Sequence, residues 1–104
     1  MAYITPVFLI NNDINVFEIE SLDSTMVKKV LVDEKSVSQG EFYKAQAIDI
    51  KLELKIEVRR FEYKNQEYFL KDNELYMVLR SYKNGGKYEL NCTKENIRIK
   101  YNGN

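Results

Sequence analysis

The stretch Ile50-Lys51-Leu52-Glu53-Leu54-Lys55-Ile56-Glu57-Val58-Arg59 decides the fold. Apolar and charged residues alternate without a break, so one side of an extended chain is greasy and the other wet. That is the signature of a β-strand lying on a core. Arg60 breaks the phase, and Phe61 and Tyr63 take the other parity. A slip of this kind predicts a bulge or a sharp coil where a sheet closes, and hence a barrel or a strongly bent sandwich.

Working outward, short turns punctuate the chain. Lys64-Asn65-Gln66 and Lys71-Asp72-Asn73-Glu74 separate a short strand, Glu67 to Leu70, from Leu75 to Tyr82. Asn84-Gly85-Gly86 supplies residues that tolerate positive φ, and Lys87 to Thr93 then alternates Tyr88, Leu90 and Cys92 inward with Lys87, Glu89 and Asn91 outward. These spacings predict hairpins. Leu75 to Leu79 is apolar on both sides, which requires either a strand covered twice or an outer face that meets another subunit.

Before the alternating stretch, Val7 to Ile10 reads as a strand and Ile14 to Glu20 as a second of uncertain register. Met26 to Val32 is expected to pair with the latter across the Ser21-Leu22-Asp23-Ser24 turn. Met1 to Pro6 and residues 96–104 read as loose arms, with Ile97 to Tyr101 a candidate edge strand. From Asp33 the periodicity lapses. Ser38-Gln39-Gly40-Glu41 has the spacing of a capping box, and Tyr43, Ala47 and Ile50 fall on one face of the short helix it would start.

Composition narrows the function. A chain of 104 residues with 44% hydrophobic and 31% charged residues suits one small globular domain with a single modest core. Sixteen basic residues balance sixteen acidic ones, whereas proteins that live by clamping phosphates usually carry a basic excess. There is no histidine, which removes imidazole acid-base chemistry and His-bearing nucleophile or metal sites. Asp72 and Glu74 lack the ligand series of a calcium loop, and Gly85-Gly86 opens no helix and so is no phosphate cradle. Catalytic, metal and cofactor-binding residues are therefore expected to be none, and the chain not to be an enzyme. A small enzyme would instead need perturbed carboxylates, with Glu53, Glu57 and Glu62 the ones to examine. The one cysteine, Cys92, reads as a buried apolar residue. The longest early apolar run is too short to span a bilayer, and no secretory signal pattern is present, so a cytosolic, membrane-free setting is expected.

The segments Glu41-Phe42-Tyr43-Lys44-Ala45-Gln46-Ala47, Ile56-Glu57-Val58-Arg59, Phe61-Glu62-Tyr63, Tyr76-Met77-Val78-Leu79-Arg80-Ser81-Tyr82 and Tyr88-Glu89-Leu90 resemble, in order and spacing, the head-tail joining proteins of tailed bacteriophages, also called head-closure or stopper proteins. The resemblance runs from about Ile14 to Cys92. It implies a mainly β fold, a small closed or partly closed antiparallel β-barrel with one short helix in the long loop between strands 2 and 3. It implies a homo-oligomeric ring below the phage portal or adaptor protein, offering a dock to a tail or tail-completion protein. Genomic dsDNA would pass through the channel without sequence-specific binding. The setting would be the host bacterial cytoplasm during assembly and then the virion head-tail interface.

Carried over residue by residue, the resemblance makes Lys35, Ser36, Val37, Ser38, Gln39 and Gly40 the channel or gating loop and Glu41, Phe42, Tyr43 and Ala47 its anchor. The insert, Asp33 to Asp49, is short for a blocking plug, so joining is the primary expectation. Lys28, Lys29, Arg59 and Arg60 are expected to face subunit or adaptor surfaces, with Tyr76, Val78 and Tyr82 in subunit contacts. The competing class is a single-stranded nucleic-acid-binding β-barrel whose aromatics stack bases.

Overall fold

The structure, a computed structural model, describes residues 3–37 and 52–103. Among them the elements run β1 Tyr3–Ile10, β2 Ser21–Leu22, β3 Val27–Lys35, β4 Leu54–Arg59, a 3-10 turn Arg60–Glu62, β5 Tyr68–Lys71, β6 Glu74–Asn84, β7 Lys87–Arg98 and β8 Lys100–Tyr101. Six strands close an antiparallel barrel in the order β1-β3-β4-β7-β6-β5, and β2 pairs with β8 in a separate parallel ribbon. Because β2 stands outside the barrel, the long connection after Lys35 leaves between the second and third barrel strands. The helix expected within that connection, and the residues Ser38 to Gly40, Glu41, Phe42, Tyr43 and Ala47, lie outside the described residues.

Alternation builds two cores rather than one. Inside the barrel, Val7 and Leu9 of β1, Ile56 and Val58 of β4, Phe69 of β5 and Leu90 and Cys92 of β7 are fully buried. The opposite faces of β1, β5 and β6 carry Ile10, Leu70 and Leu75, which join Val16, Leu22 and Ile99 in a second buried cluster outside the barrel. These three strands are thus a wall between two apolar compartments, which is why they read as apolar on both sides. Leu75 faces the outer cluster, while Tyr76 and Val78 pack against the inner one. At Leu75 strand β6 is covered on both sides, while Met77 and Leu79 are only partly buried and join neither cluster.

Several sequence expectations change. Ile14 to Glu20 is not a strand. Asn11 and Asn15 fold it into turns, the Asn15 side chain accepting from the Phe17 N–H at 3.1 Å, and Val16 drops into the outer core. With that segment unavailable, β3 pairs with β1 along its whole length, from Tyr3 opposite Glu34 to Ile10 opposite Val27. Residues 3–6 are therefore strand and not a loose arm, Pro6 included. At the other end β7 runs on to Arg98, Ile99 is buried, and Tyr101 stacks on Phe8 with ring centroids 4.1 Å apart. The insert begins later than Asp33, because Asp33, Glu34 and Lys35 pair with Glu57, Ile56 and Lys55. The phase slip after Arg59 is a 3-10 turn, while the bulges lie between β6 and β7, near Tyr76 and near Arg80.

The turns follow their chemistry. Asn65, Asp72 and Asn73 hold positive φ, as Asn and Asp tolerate better than other side chains, and Gly85 holds φ +63° at the β6–β7 hairpin tip. Asn12 bridges two loops, donating to the Asn65 carbonyl and accepting from the Glu67 N–H, both at 3.2 Å.

Candidate interaction surface

On the outer wall the register places like charges side by side. Asp33, Glu57 and Glu89 stand opposite one another across β3, β4 and β7, with Lys35 and Lys55 adjacent on the next rung. Carboxylates facing each other across strands destabilise a sheet unless cations intervene. Here they do. Lys87 Nζ lies 3.1 Å from Asp33 and 3.8 Å from Glu57, Lys35 Nζ 3.4 Å from Glu57, and Lys55 Nζ 3.6 Å from Glu89. Lys35 is thereby the last residue of a paired strand rather than part of a projecting loop. Ser36 and Val37 follow it without regular structure.

At one barrel end, Thr5 donates a hydrogen bond to Glu34, and Lys71 Nζ approaches Glu34 at 3.4 Å. Burial alone would depress the Lys71 ammonium, but the Glu34 carboxylate beside it raises its pKa overall. Nearby, Lys94 Nζ sits 2.9 Å from Glu74, and this hydrogen bond holds the Glu74 carboxyl below its usual range. The carboxylates a small enzyme would have needed are placed apart in role. Glu57 is in the ion-pair ladder, Glu53 accepts from the Thr93 hydroxyl and the Lys94 N–H, and Glu62 belongs to the 3-10 turn. Burial pushes the Cys92 thiol well above its ordinary value, which leaves it in the unreactive protonated form.

What stands out of this polar wall is apolar. Ile4 is 70% exposed and Leu31 58%, on neighbouring outward positions of β1 and β3, with Pro6 directly across from Leu31. Phe61, at 68%, crowns the 3-10 turn. Tyr82 is 44% exposed, its hydroxyl 3.5 Å from Arg80, on the stretch Arg80 to Asn84 of β6 that pairs with β7 and not with β5. Of the expected contact residues, Lys28, Lys29, Arg59, Arg60 and Tyr82 are at the surface, whereas Tyr76 and Val78 are turned toward the inner core. Ile4 and Leu31 escaped the sequence reading. The run Val30-Leu31-Val32 is apolar throughout, so only the register with β1 tells which member faces out.

Tyr63 closes the base of the barrel. Its ring is buried beside Tyr88 at 5.3 Å, its hydroxyl donates to the Gln66 carbonyl at 3.0 Å, and the Gln66 side chain, itself buried, accepts from the Lys64 N–H at 2.7 Å. Desolvation is the main reason its phenol is pushed up from 10.0 to about 12. A folded-state pKa above the unfolded one means the stabilisation is complete below the unfolded value and is lost as pH rises through the folded one. Tyr63 should therefore contribute a fall of roughly 2 kcal/mol in stability between pH 10 and 12 in urea unfolding followed by circular dichroism, beside the alkaline loss from the buried Cys92 thiol. In Tyr63→Phe that share of the fall is expected to disappear while the share of Cys92 remains, at a cost near neutrality of about 1 kcal/mol for the lost hydrogen bond. An unchanged alkaline limb would contradict the assignment.

No protein-family model, no curated protein and no solved structure matches the chain. Among the described residues no group of three or more His, Cys, Asp or Glu side chains is placed to hold a metal ion, and no helix is long and apolar enough to cross a membrane.

Proposed function

We propose that the chain is a structural component of a phage or prophage head-tail connector. It acts by assembly rather than catalysis, as copies forming a ring below the portal and adaptor that closes the filled head, retains DNA and docks the tail. The observation that carries this reading is the apolar strip Ile4, Pro6 and Leu31 outside a closed barrel, bordered by the Lys–Glu ladder. An apolar patch rimmed by polar groups is what a neighbouring subunit buries. Contacts around a ring are head-to-tail, so the patch meets a different surface of the next copy. The long connection between the second and third barrel strands adds support, being where the resemblance puts the loop that faces the channel.

Co-sedimentation of the full chain with phage portal complexes tests this. Wild type should travel with the portal. Leu31→Glu should retain its urea midpoint, because the side chain is exposed, yet lose about tenfold or more in association, since a charge would be buried at the contact. Absence of wild-type association would overturn the reading, and full association of Leu31→Glu would remove the strip from it.

A further inference from the structure

The described cations differ in whether they reach a carboxylate. Lys35, Lys55, Lys71, Lys87 and Lys94 each reach a carboxylate. Lys28, Lys29, Arg59, Arg60, Lys64 and Lys83 are exposed and make no ion pair among the described residues, as is also true of Arg80, Arg98 and Lys100 on β6, β7 and β8. The topology draws the first six of these toward one end of the barrel. Lys28 Nζ lies 3.4 Å from the Glu62 carbonyl, and the Arg60 N–H donates to the Gly86 carbonyl at 2.8 Å. The 3-10 turn is thus clasped between the beginning of β3 and the tip of the β6–β7 hairpin, which carries Lys83. Glu62 is the acid within the turn, and Glu67 lies on its flank through the Asn12 bridge. A chain whose charges sum to zero therefore has a basic end that the total conceals.

Phe61, 68% exposed, follows Arg59 and Arg60 and sits in the 3-10 turn that Arg60 begins. Crowded like charges repel, and a polyanion relieves them while releasing its own counterions. The geometry points to single-stranded nucleic acid as the occupant of this end, its phosphates on Lys28, Arg59, Arg60 and their neighbours and an unpaired base on the Phe61 ring. A duplex keeps its bases stacked inside and offers Phe61 no face. An acidic polypeptide brings carboxylates but no aromatic base. The inference goes beyond the connector reading and does not depend on it.

Fluorescence anisotropy of a labelled oligothymidylate of about 20 nucleotides, titrated with the intact chain between about 50 and 200 mM salt, tests it. Binding should be micromolar at the lower salt, and engagement of about four cations should give a slope near −3 in log affinity against log salt. Lys28→Glu combined with Arg60→Glu should weaken binding about tenfold or more. Phe61→Ala should weaken it about fivefold or more and Phe61→Tyr restore it, both with an unchanged thermal midpoint. The inference is overturned by absence of binding at low salt, by equal affinity for a duplex of the same length or for polyglutamate, or by a silent Phe61→Ala.

Discussion

Replacing Phe69 with alanine is expected to lower the free energy of unfolding by about 3–5 kcal/mol. Phe69 is fully buried at the middle of the inner core and lies nearly parallel to Tyr76, with ring centroids 5.4 Å apart. Its position magnifies the loss. Strand β5 has four residues and meets β1 through two pairs, Phe8 with Leu70 and Leu9 with Phe69, so the seam that closes the barrel is held by side-chain packing more than by its ladder. Truncating the ring leaves a cavity beneath that seam. Stabilities of domains this size are about 5–15 kcal/mol, so the variant should be marginal at room temperature. Urea unfolding read by circular dichroism measures the loss, and Phe69→Leu should recover most of it. A cost under about 1 kcal/mol would mean that the seam does not carry the core.

The second large effect is expected far from the barrel interior. Ile99→Ala should cost about 2–4 kcal/mol, because the side chain is buried in the outer core between β1, β5 and β6 on one side and Val16 and Leu22 on the other. The parallel pairing of Ser21 with Lys100 and Leu22 with Tyr101, and the Asn102 N–H donating to the Leu22 carbonyl at 2.7 Å, hold that lid in place. If residues 96–104 were the loose arm that the sequence suggests, the same substitution would change stability by less than about 0.5 kcal/mol. The two outcomes are well separated. Amide exchange should also quicken at Leu22 and Tyr101 in the variant while β4 and β7 stay protected.

The parts of the fold legible in the sequence were those governed by local pattern. Alternation from Leu52 to Val58 was enough to place one face of β4 inside, and the turn residues at Asn65, Asp72, Asn73 and Gly85 do adopt positive φ. The outer core was not legible, because its members Val16, Leu22, Leu75 and Ile99 are spread along the chain and no short-range period links them. Without such a period, Ile14 to Glu20 resembles a strand. Its branched and aromatic residues favour extension, but the Asn11 and Asn15 hydrogen bonds prevail. Met1 to Pro6 reads as an arm, yet Pro6 lies in β1, opposite Leu31.

The candidate surface was legible only in part, for a related reason. Exposure of Lys28, Lys29, Arg59, Arg60 and Tyr82 follows from their polarity or position. The exposure of Ile4, Leu31 and Phe61 does not, since each sits in a run where a neighbour is buried and only strand register or the 3-10 turn decides which faces out. Charge distribution is equally non-local. Lys87 meets Asp33 across 54 positions of sequence, so which cations are neutralised, and which remain free at the barrel end, depends on topology.

The assembly account is tested most directly by cryo-electron microscopy of phage portal complexes reconstituted with the full chain. It predicts a closed ring of barrels coaxial with the portal, neighbouring copies in contact through Ile4 and Leu31 and the connection after Lys35 turned toward the axis. Portal particles without added density, or barrels bound singly with the Ile4–Leu31 strip open to solvent, would contradict it.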